Sequence, residues 1–353
     1  MSRFLSSRFA GLTEYVPGEQ PRGRQYIKLN TNESPYPPSQ GVLDAVNTAE
    51  VAKLNLYSDP DARDLRAALS AHYVTAPEEV FLSNGSDDIL NFCFMAFCDA
   101  RTPVVFPEVS YGFYEVYAEL YGLDYRKIPL RADFSINPDD YCGAGRTVVL
   151  ANPNAQTGLA LPLSDIERIV RTNPGNVVVV DEAYVDFGGE SAVELTRKYE
   201  NLLVVMTYSK SRSLAGARLG FAIGPKALIA DLEKIKYSTN PYNLNRLTQV
   251  AGIAALRDQA YYDENCKKVM ATRQKTREAL LALGFACTDS RSNFLLASSP
   301  EISGGVLYAA LRERGILVRH FSDPIIENCI RITIGTPRQM ETLIGAIRQI
   351  LKR

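Results

Sequence analysis

The sequence predicts an α/β protein: a large domain built on a mainly parallel sheet between helices, with a smaller α+β domain beside it. Three observations carry this expectation. RTVVLANPN, NVVVVDEAY and LLVVMTYSK are short, β-branched and near-continuously apolar, the pattern of strands buried on both faces of a parallel sheet. Helical segments such as LSDIERIVRT lie between such runs, the alternation of an α/β layer architecture. The 353 residues exceed what one hydrophobic core usually serves, so a second domain is expected.

Taken in order, the opening forty residues are rich in Pro, Gly, Asn and Ser and end in NTNESPYPPS. They read as an extended arm. DARDLRAALSAHY reads as a helix, and VFLSNGSDD as a strand, a turn and a helix capped by Ser86. TPVVFP is a strand and YGFYEVYAELYG a helix; the three apolar runs follow. A long helical stretch is expected from about 244 to 283. The tail reads strand (NFLLA), helix (VLYAALRERG), strands (ILVRHF, IRITIG) and a last helix. The arm and first helix are expected to join the small domain. The division expected is thus 1–40 as arm and part of the small domain, 41–245 as the large domain, and 246–353 as linking helix and small domain.

Composition excludes several function classes. Lys and Arg number 39 against 40 Asp and Glu, a formal charge of -1, so there is no electrostatic case for nucleic acid or an anionic membrane. At 46% hydrophobic and 22% charged the chain is an ordinary globular one. Six cysteines form no C-x-x-C pair, and His72 and His320 are the only histidines. Zinc-ribbon, thioredoxin-like and multi-histidine metal sites are therefore not expected. The first twenty residues contain no apolar run of the kind a secretory signal needs, and a cytoplasmic location is expected.

In open parallel sheets ligands bind beyond the carboxyl ends of the strands. Four polar turns stand there: NGSDD, NPNAQTG, DEAYVDF and YSKSRSLAGAR. Gly85, Ser86 and Asp87 open a helix whose free N–H groups and dipole could hold an anion, although an ordinary cap reads the same. Asp181 closes a buried strand and calls for a cation, such as a protonated pyridine nitrogen; a salt-bridged acid is the plain alternative. Tyr184 is close enough to reach the same ligand. Lys210, between Ser209 and Ser211, could form a Schiff base with an aldehyde. Arg218 could clamp a phosphate. Arg331, inside the apolar strand IRITIG, needs an anion: a substrate carboxylate or phosphate, or an internal acid. Arg319 is a second candidate, and Tyr111 could stack on a flat ring.

LNTNESPYPPS, LYSDP, NGSDD, NPNAQTG, DEAYVDF, YSKSRSLAGARLGF and LRERGILVRHF…CIRITIGT occur in one order over nearly the whole chain. In this the sequence resembles the histidinol-phosphate aminotransferases, within the fold-type I pyridoxal-phosphate transferases. The resemblance implies a seven-stranded sheet, pyridoxal 5′-phosphate as cofactor and a homodimer. It implies that Lys210 carries the cofactor and shuttles the proton, that Asp181 pairs with the pyridinium nitrogen, and that Tyr184 bonds the ring O3′. Ser86 and Asp87 N–H groups, Gly85, Ser209 and Arg218 would receive the cofactor phosphate, Tyr111 would stack on the ring, and Tyr57 would reach that phosphate from the partner subunit. Arg331 would bind the anionic end of either substrate, histidinol phosphate or glutamate (2-oxoglutarate in the reverse half), with Tyr15, Asn32 and Arg319 at the substrate end.

The chain departs from the family where many relatives read N-N-P-T-G. Here Ala155 replaces the asparagine credited with the O3′ contact, Gln156 replaces proline, and Asn154 is left as a substitute. The competing readings are an aromatic amino acid aminotransferase and a decarboxylase of a phosphorylated amino acid with the same cofactor. No G-x-G-x-x-G follows the first strand, which argues against a nicotinamide enzyme.

Overall fold

The structure, a computed structural model, describes residues 3–21, 23 and 25–352. After the arm, β1 (Ile27–Lys28) leads to α1 (Gln40–Ala45), α2 (Thr48–Val51) and α3 (Arg63–Tyr73). Then come β2 (Val80–Ser83), α4 (Ser86–Phe97), β3 (Val104–Pro107), α5 (Phe113–Tyr121), β4 (Tyr125–Ile128), β5 (Thr147–Ala151), α6 (Leu163–Thr172), β6 (Val178–Asp181), β7 (Leu202–Thr207) and β8 (Gly220–Ile223). Helices α7 (Lys226–Thr239), α8 (Arg246–Arg257) and α9 (Gln259–Ala282) precede the tail: β9 (Ala286–Cys287), β10 (Phe294–Ser298), α10 (Gly304–Glu313), β11 (Ile316–Leu317), β12 (Arg319–His320), β13 (Cys329–Thr333) and α11 (Pro337–Ile350).

The central sheet has seven strands in the order β2-β8-β7-β6-β5-β3-β4. Only β8 runs against its neighbours, β2 and β7. The apolar runs are continuous because each strand feeds two cores. Val178 and Val180 point into the one containing α3 and α8 residues, and Val179 into the one containing α4 and α5 residues. That alternation carries Asp181 to the α5 side, where Tyr114 waits, and Glu182 to the other.

A four-stranded antiparallel sheet, β12-β13-β10-β9, forms the second layer set, with β1 pairing in parallel with β11 nearby. The arm is therefore stitched to the tail of the chain. The first helix is not: α3 packs on β2 and α8. The helical stretch expected at 244–283 is two helices that meet at Asp258, and ILVRHF divides at Val318 into β11 and β12, each with its own partner. The cap of α4 is Gly85, at φ +88°, with Ser86 the first helical residue. The mirror-image backbone there suits glycine. Among the described residues no helix is long and apolar enough to cross a membrane, and no group of three or more His, Cys, Asp and Glu is placed to hold a metal ion.

Candidate active site

Because β2, β3, β5, β6 and β7 all point the same way, the turns after them share one edge of the sheet. They enclose a cavity of about 520 Å³ together with the arm and the β12–β13 edge. Lys210, Asp181, Tyr184, Ser86, Asp87, Tyr111, Ser209, Arg218, Arg331, Arg319, Tyr15 and Asn32 all line it.

At its floor Asp181 is 4% exposed. Its carboxylate accepts from Tyr114 Oη at 2.9 Å and from the Ala183 N–H at 3.2 Å. Burial pushes its pKa up to about 6, against the pull of those two hydrogen bonds and of the Lys210 ammonium. No Lys or Arg forms an ion pair with it among the described residues. A buried carboxylate in that condition favours a cationic ligand. Lys210 Nζ is loosely held, 3.4 Å from the Thr31 carbonyl and 5.7 Å from the centre of the Tyr184 ring. Tyr184 Oη accepts from Asn32 Nδ2 at 3.0 Å. Asn32 is itself fixed at φ +56° by Thr333, whose hydroxyl donates to Oδ1 and accepts from the Asn32 N–H.

At one end the first turn of α4 presents its unpaired N–H groups. Arg218 stands across from it and donates to Asp87 Oδ2 at 2.8 Å, while Tyr111 Oη donates to Asp87 Oδ1 at 2.5 Å. Two glycines make this cradle. A Cβ on Gly85 would come within 2.5 Å of Arg218 Nη2, and one on Gly220 within 2.4 Å of the Gly85 carbonyl carbon and the Ser86 nitrogen. Ser209 is tied to Thr207, whose hydroxyl both donates to Ser209 Oγ and accepts from the Ser209 N–H.

At the other end lies Arg331, half-buried between the rings of Phe294 and Phe321, 5.1 and 5.3 Å from its guanidinium carbon. Nη1 donates to the Ala155 carbonyl at 3.0 Å and to Gln156 Oε1 at 2.9 Å; Nη2 is 3.5 Å from the Asn30 carbonyl. Its Nε is shielded and has no partner among the described residues. The internal acid that could have balanced it is absent among the described residues, and burial lowers its pKa. Arg319 is otherwise engaged, donating to the Val16 and Pro17 carbonyls and so holding the arm over the cavity. Tyr15 stacks on Phe113 at 4.2 Å.

Three expected residues do not face the cavity. Gly85 sits behind the cradle. Asn154 spends its side chain inside its own turn: Nδ2 donates to the Val109 carbonyl, and Oδ1 accepts from the Gln156 and Thr157 N–H groups. Held there, it does not line the cavity and is not placed to replace the asparagine missing at Ala155. Tyr57 is 80% exposed, stacked on Tyr242 at 4.5 Å. Sequence reasoning passed over Tyr114 and Gly220. Tyr114 lies three residues after Tyr111, one helical turn along, which was the available signal; Gly220 gave none.

A mainly parallel sheet with an amine, an acid and an anion cradle at its carboxyl edge defines a fold-type I transferase. The chain belongs to the aminotransferase class I and II family, whose model matches residues 24–347. Within that family it is similar, end to end, to histidinol-phosphate aminotransferases. It is 49% identical to histidinol-phosphate aminotransferase 2 of Dechloromonas aromatica, covering 99% of each chain. It is 50% identical to histidinol-phosphate aminotransferase 1 of Bordetella parapertussis, again covering 99% of each. The structure of histidinol-phosphate aminotransferase from Sinorhizobium meliloti in complex with pyridoxal-5′-phosphate superimposes with a TM-score of 0.88 at 25% identity, over 99% of both chains. The fold alone is shared with L-threonine-O-3-phosphate decarboxylase from Porphyromonas gingivalis (TM-score 0.82, 21% identity, 93% of this chain and 100% of that one).

Proposed function

We propose that this chain is a pyridoxal 5′-phosphate-dependent histidinol-phosphate aminotransferase, interconverting L-histidinol phosphate and 2-oxoglutarate with imidazole-acetol phosphate and L-glutamate. The observation that carries the reading is one cavity with an anion cradle at one end, an acid at its floor that meets no cation among the described residues, and at the other end a guanidinium that meets no acid among them. The first two fit a flat cofactor bearing a phosphate and a basic ring nitrogen; the third fits the substrate's anionic end. When bound, the cofactor supplies an aldehyde carbon for the substrate amine and a protonated ring that takes up the electrons released at Cα.

The roles of the chain's own residues follow. Ser86 and Asp87 N–H groups, Ser209 and Arg218 receive the phosphate; Arg218, which donates to Asp87 Oδ2, turns from that carboxylate to do so. Asp181 keeps the ring nitrogen protonated, and Tyr114 and Ala183 hold that carboxylate in place. Tyr184, steered by Asn32, donates to the ring O3′, and Tyr111 stacks on the ring. Lys210 Nζ would take the proton from Cα as general base and deliver it, as general acid, to C4′, the cofactor's former aldehyde carbon. Arg331 binds carboxylate in one half-reaction and phosphate in the other, since a guanidinium matches both. Leu43, Leu54, Leu56, Tyr57 and Tyr242 are exposed, apolar surface that a second copy would cover, and in such a homodimer Tyr57 reaches the partner's cradle. The domain division is proposed as large domain plus a small domain that includes β1 and β9 to β13.

Purified protein loaded with cofactor should show an absorbance change on adding histidinol phosphate and none on adding lysine. Its kcat/KM for histidinol phosphate should exceed that for phenylalanine. Preference for phenylalanine, or release of carbon dioxide from a phosphorylated amino acid, would sink the proposal.

A further inference from the structure

Thr333 stands behind the cavity, outside its lining, and is 3% exposed. It follows Arg331 by two positions on β13, so the two side chains share one face of that strand. Among the described residues its hydroxyl has two partners: it accepts from the Asn32 N–H at 2.9 Å and donates to Asn32 Oδ1 at 2.9 Å. A backbone N–H can only donate, so the hydroxyl proton has one place to go, and the Asn32 amide is turned with its oxygen toward Thr333. Its Nδ2 then faces Tyr184 Oη, to which it donates at 3.0 Å. That leaves the Tyr184 phenol proton for a further acceptor, and among the described residues it meets none, at the wall of the cavity. The backbone on both sides of the link is held as well. Asn293 Nδ2 donates to the Asn32 carbonyl at 2.9 Å, and the Thr333 N–H donates to the Leu29 carbonyl at 3.0 Å.

We infer that Thr333 is a positioning residue for the cofactor: through the Asn32 amide it keeps the Tyr184 phenol proton directed at the ring O3′. Four donors run in one direction, from the Asn32 N–H through the Thr333 hydroxyl and the Asn32 amide to Tyr184, and the first of them cannot reverse. The inference rests on the proposed function for the O3′ contact of Tyr184, and on the buried hydrogen bonds alone for the direction. It gives β13 two tasks: Arg331 receives the substrate's anionic end, and Thr333 sets a donor to the cofactor. It also bears on the alanine at 155, which carries no donor: the O3′ contact falls to Tyr184, and its aim is fixed from behind.

The test titrates the visible absorbance of cofactor-loaded protein against pH, without substrate, for wild type, Tyr184→Phe, Thr333→Val, Thr333→Ser and the pair Tyr184→Phe with Thr333→Val. A donor at O3′ stabilises the form in which that oxygen is negative and so holds the midpoint down. Tyr184→Phe should raise the midpoint by about one pH unit, the worth of one hydrogen bond to a charged oxygen. Thr333→Val keeps the shape without the hydroxyl and should raise it by about half a unit, since Tyr184 keeps its proton but not its aim. Thr333→Ser should restore the wild-type midpoint, and on the Tyr184→Phe background Thr333→Val should add nothing. Asn32→Gly suits the φ of +56°, breaks the link from its other side and should match Thr333→Val, so the test stands even if that variant does not fold. A midpoint that neither Thr333→Val nor Asn32→Gly moves, or a shift that persists on the Tyr184→Phe background, overturns the inference. Protein that shows the expected pattern but does not transaminate histidinol phosphate would overturn the proposed function and leave the inference standing; protein that transaminates it with a midpoint indifferent to Thr333 would do the reverse.

Discussion

Replacing Asp181 by asparagine should move stability and activity in opposite directions. The carboxylate has an ordinary pKa of 3.8 and is pushed to about 6 in the fold, chiefly by burial. A folded-state pKa above the unfolded one means that the native state holds its proton longer. Stability contributed by the protonated form is therefore full below pH 3.8, declines as pH rises toward 6, and is lost above it. The span is about two pKa units, or roughly 3 kcal/mol at 1.36 kcal/mol per unit. Asparagine carries no charge and keeps the local geometry: Oδ1 can accept from the Ala183 N–H, and Nδ2 can donate to Tyr114 Oη, since a phenol both gives and takes. Cofactor-free Asp181→Asn protein should match wild type near pH 4 and gain on it up to pH 6. Above pH 7 it should melt about 4 °C higher, by the entropy scaling for a chain of this size. The cofactor-loaded variant should lose activity by about 10² to 10³-fold, the scale of removing a preorganised charge from a reaction centre. Thermal melts from pH 4 to 8, with turnover on the same samples, decide the matter. A variant less stable than wild type at pH 7.5, or an offset that does not change with pH, would refute the reasoning.

Other outcomes follow from the same geometry. Lys210→Ala should reduce turnover by at least about 10³-fold while leaving the melting temperature nearly unchanged, because Nζ has a single long hydrogen bond; activity and melts on one preparation check it. Arg331→Met should raise KM for both substrates by roughly 10²-fold with a smaller effect on kcat, the loss expected when an anion is left without its partner; steady-state kinetics with each substrate reads it. Gly220→Ala should destabilise the protein by about 1–3 kcal/mol and weaken cofactor binding, since its Cβ would meet backbone at 2.4 Å; melts and cofactor titration would show both. Glu182, pushed up to about 8 by burial, contributes stability that is lost as pH rises from 4.5 through 8, so Glu182→Gln should melt above wild type at pH 9, with its bonds to Ser191 and Ala192 retained.

Much of this was legible in the residues. Strands that feed cores on both faces must be apolar at every position, so the runs around Val105, Val149, Val179 and Val204 announced themselves, and the polar residue after each run marked the ligand edge. Lys210 and Asp181 were found that way. Two strands of the central sheet were not read. β4 is an edge strand with a mostly exposed YRKI sequence, and β8 is a four-residue run next to a glycine-rich turn. Neither carries the signal of a doubly buried strand.

What the chain determined by itself was local: where apolar runs begin and end, and which side chains stand at their ends. Partnership across the sheet is set by packing among segments far apart in sequence, so only the tertiary structure could decide it. Among the described residues it gave Asp181 a tyrosine and no cation, left Arg331 without an acid, spent Asn154 inside its own turn, and aimed the Gln156 amide at a guanidinium 175 positions away.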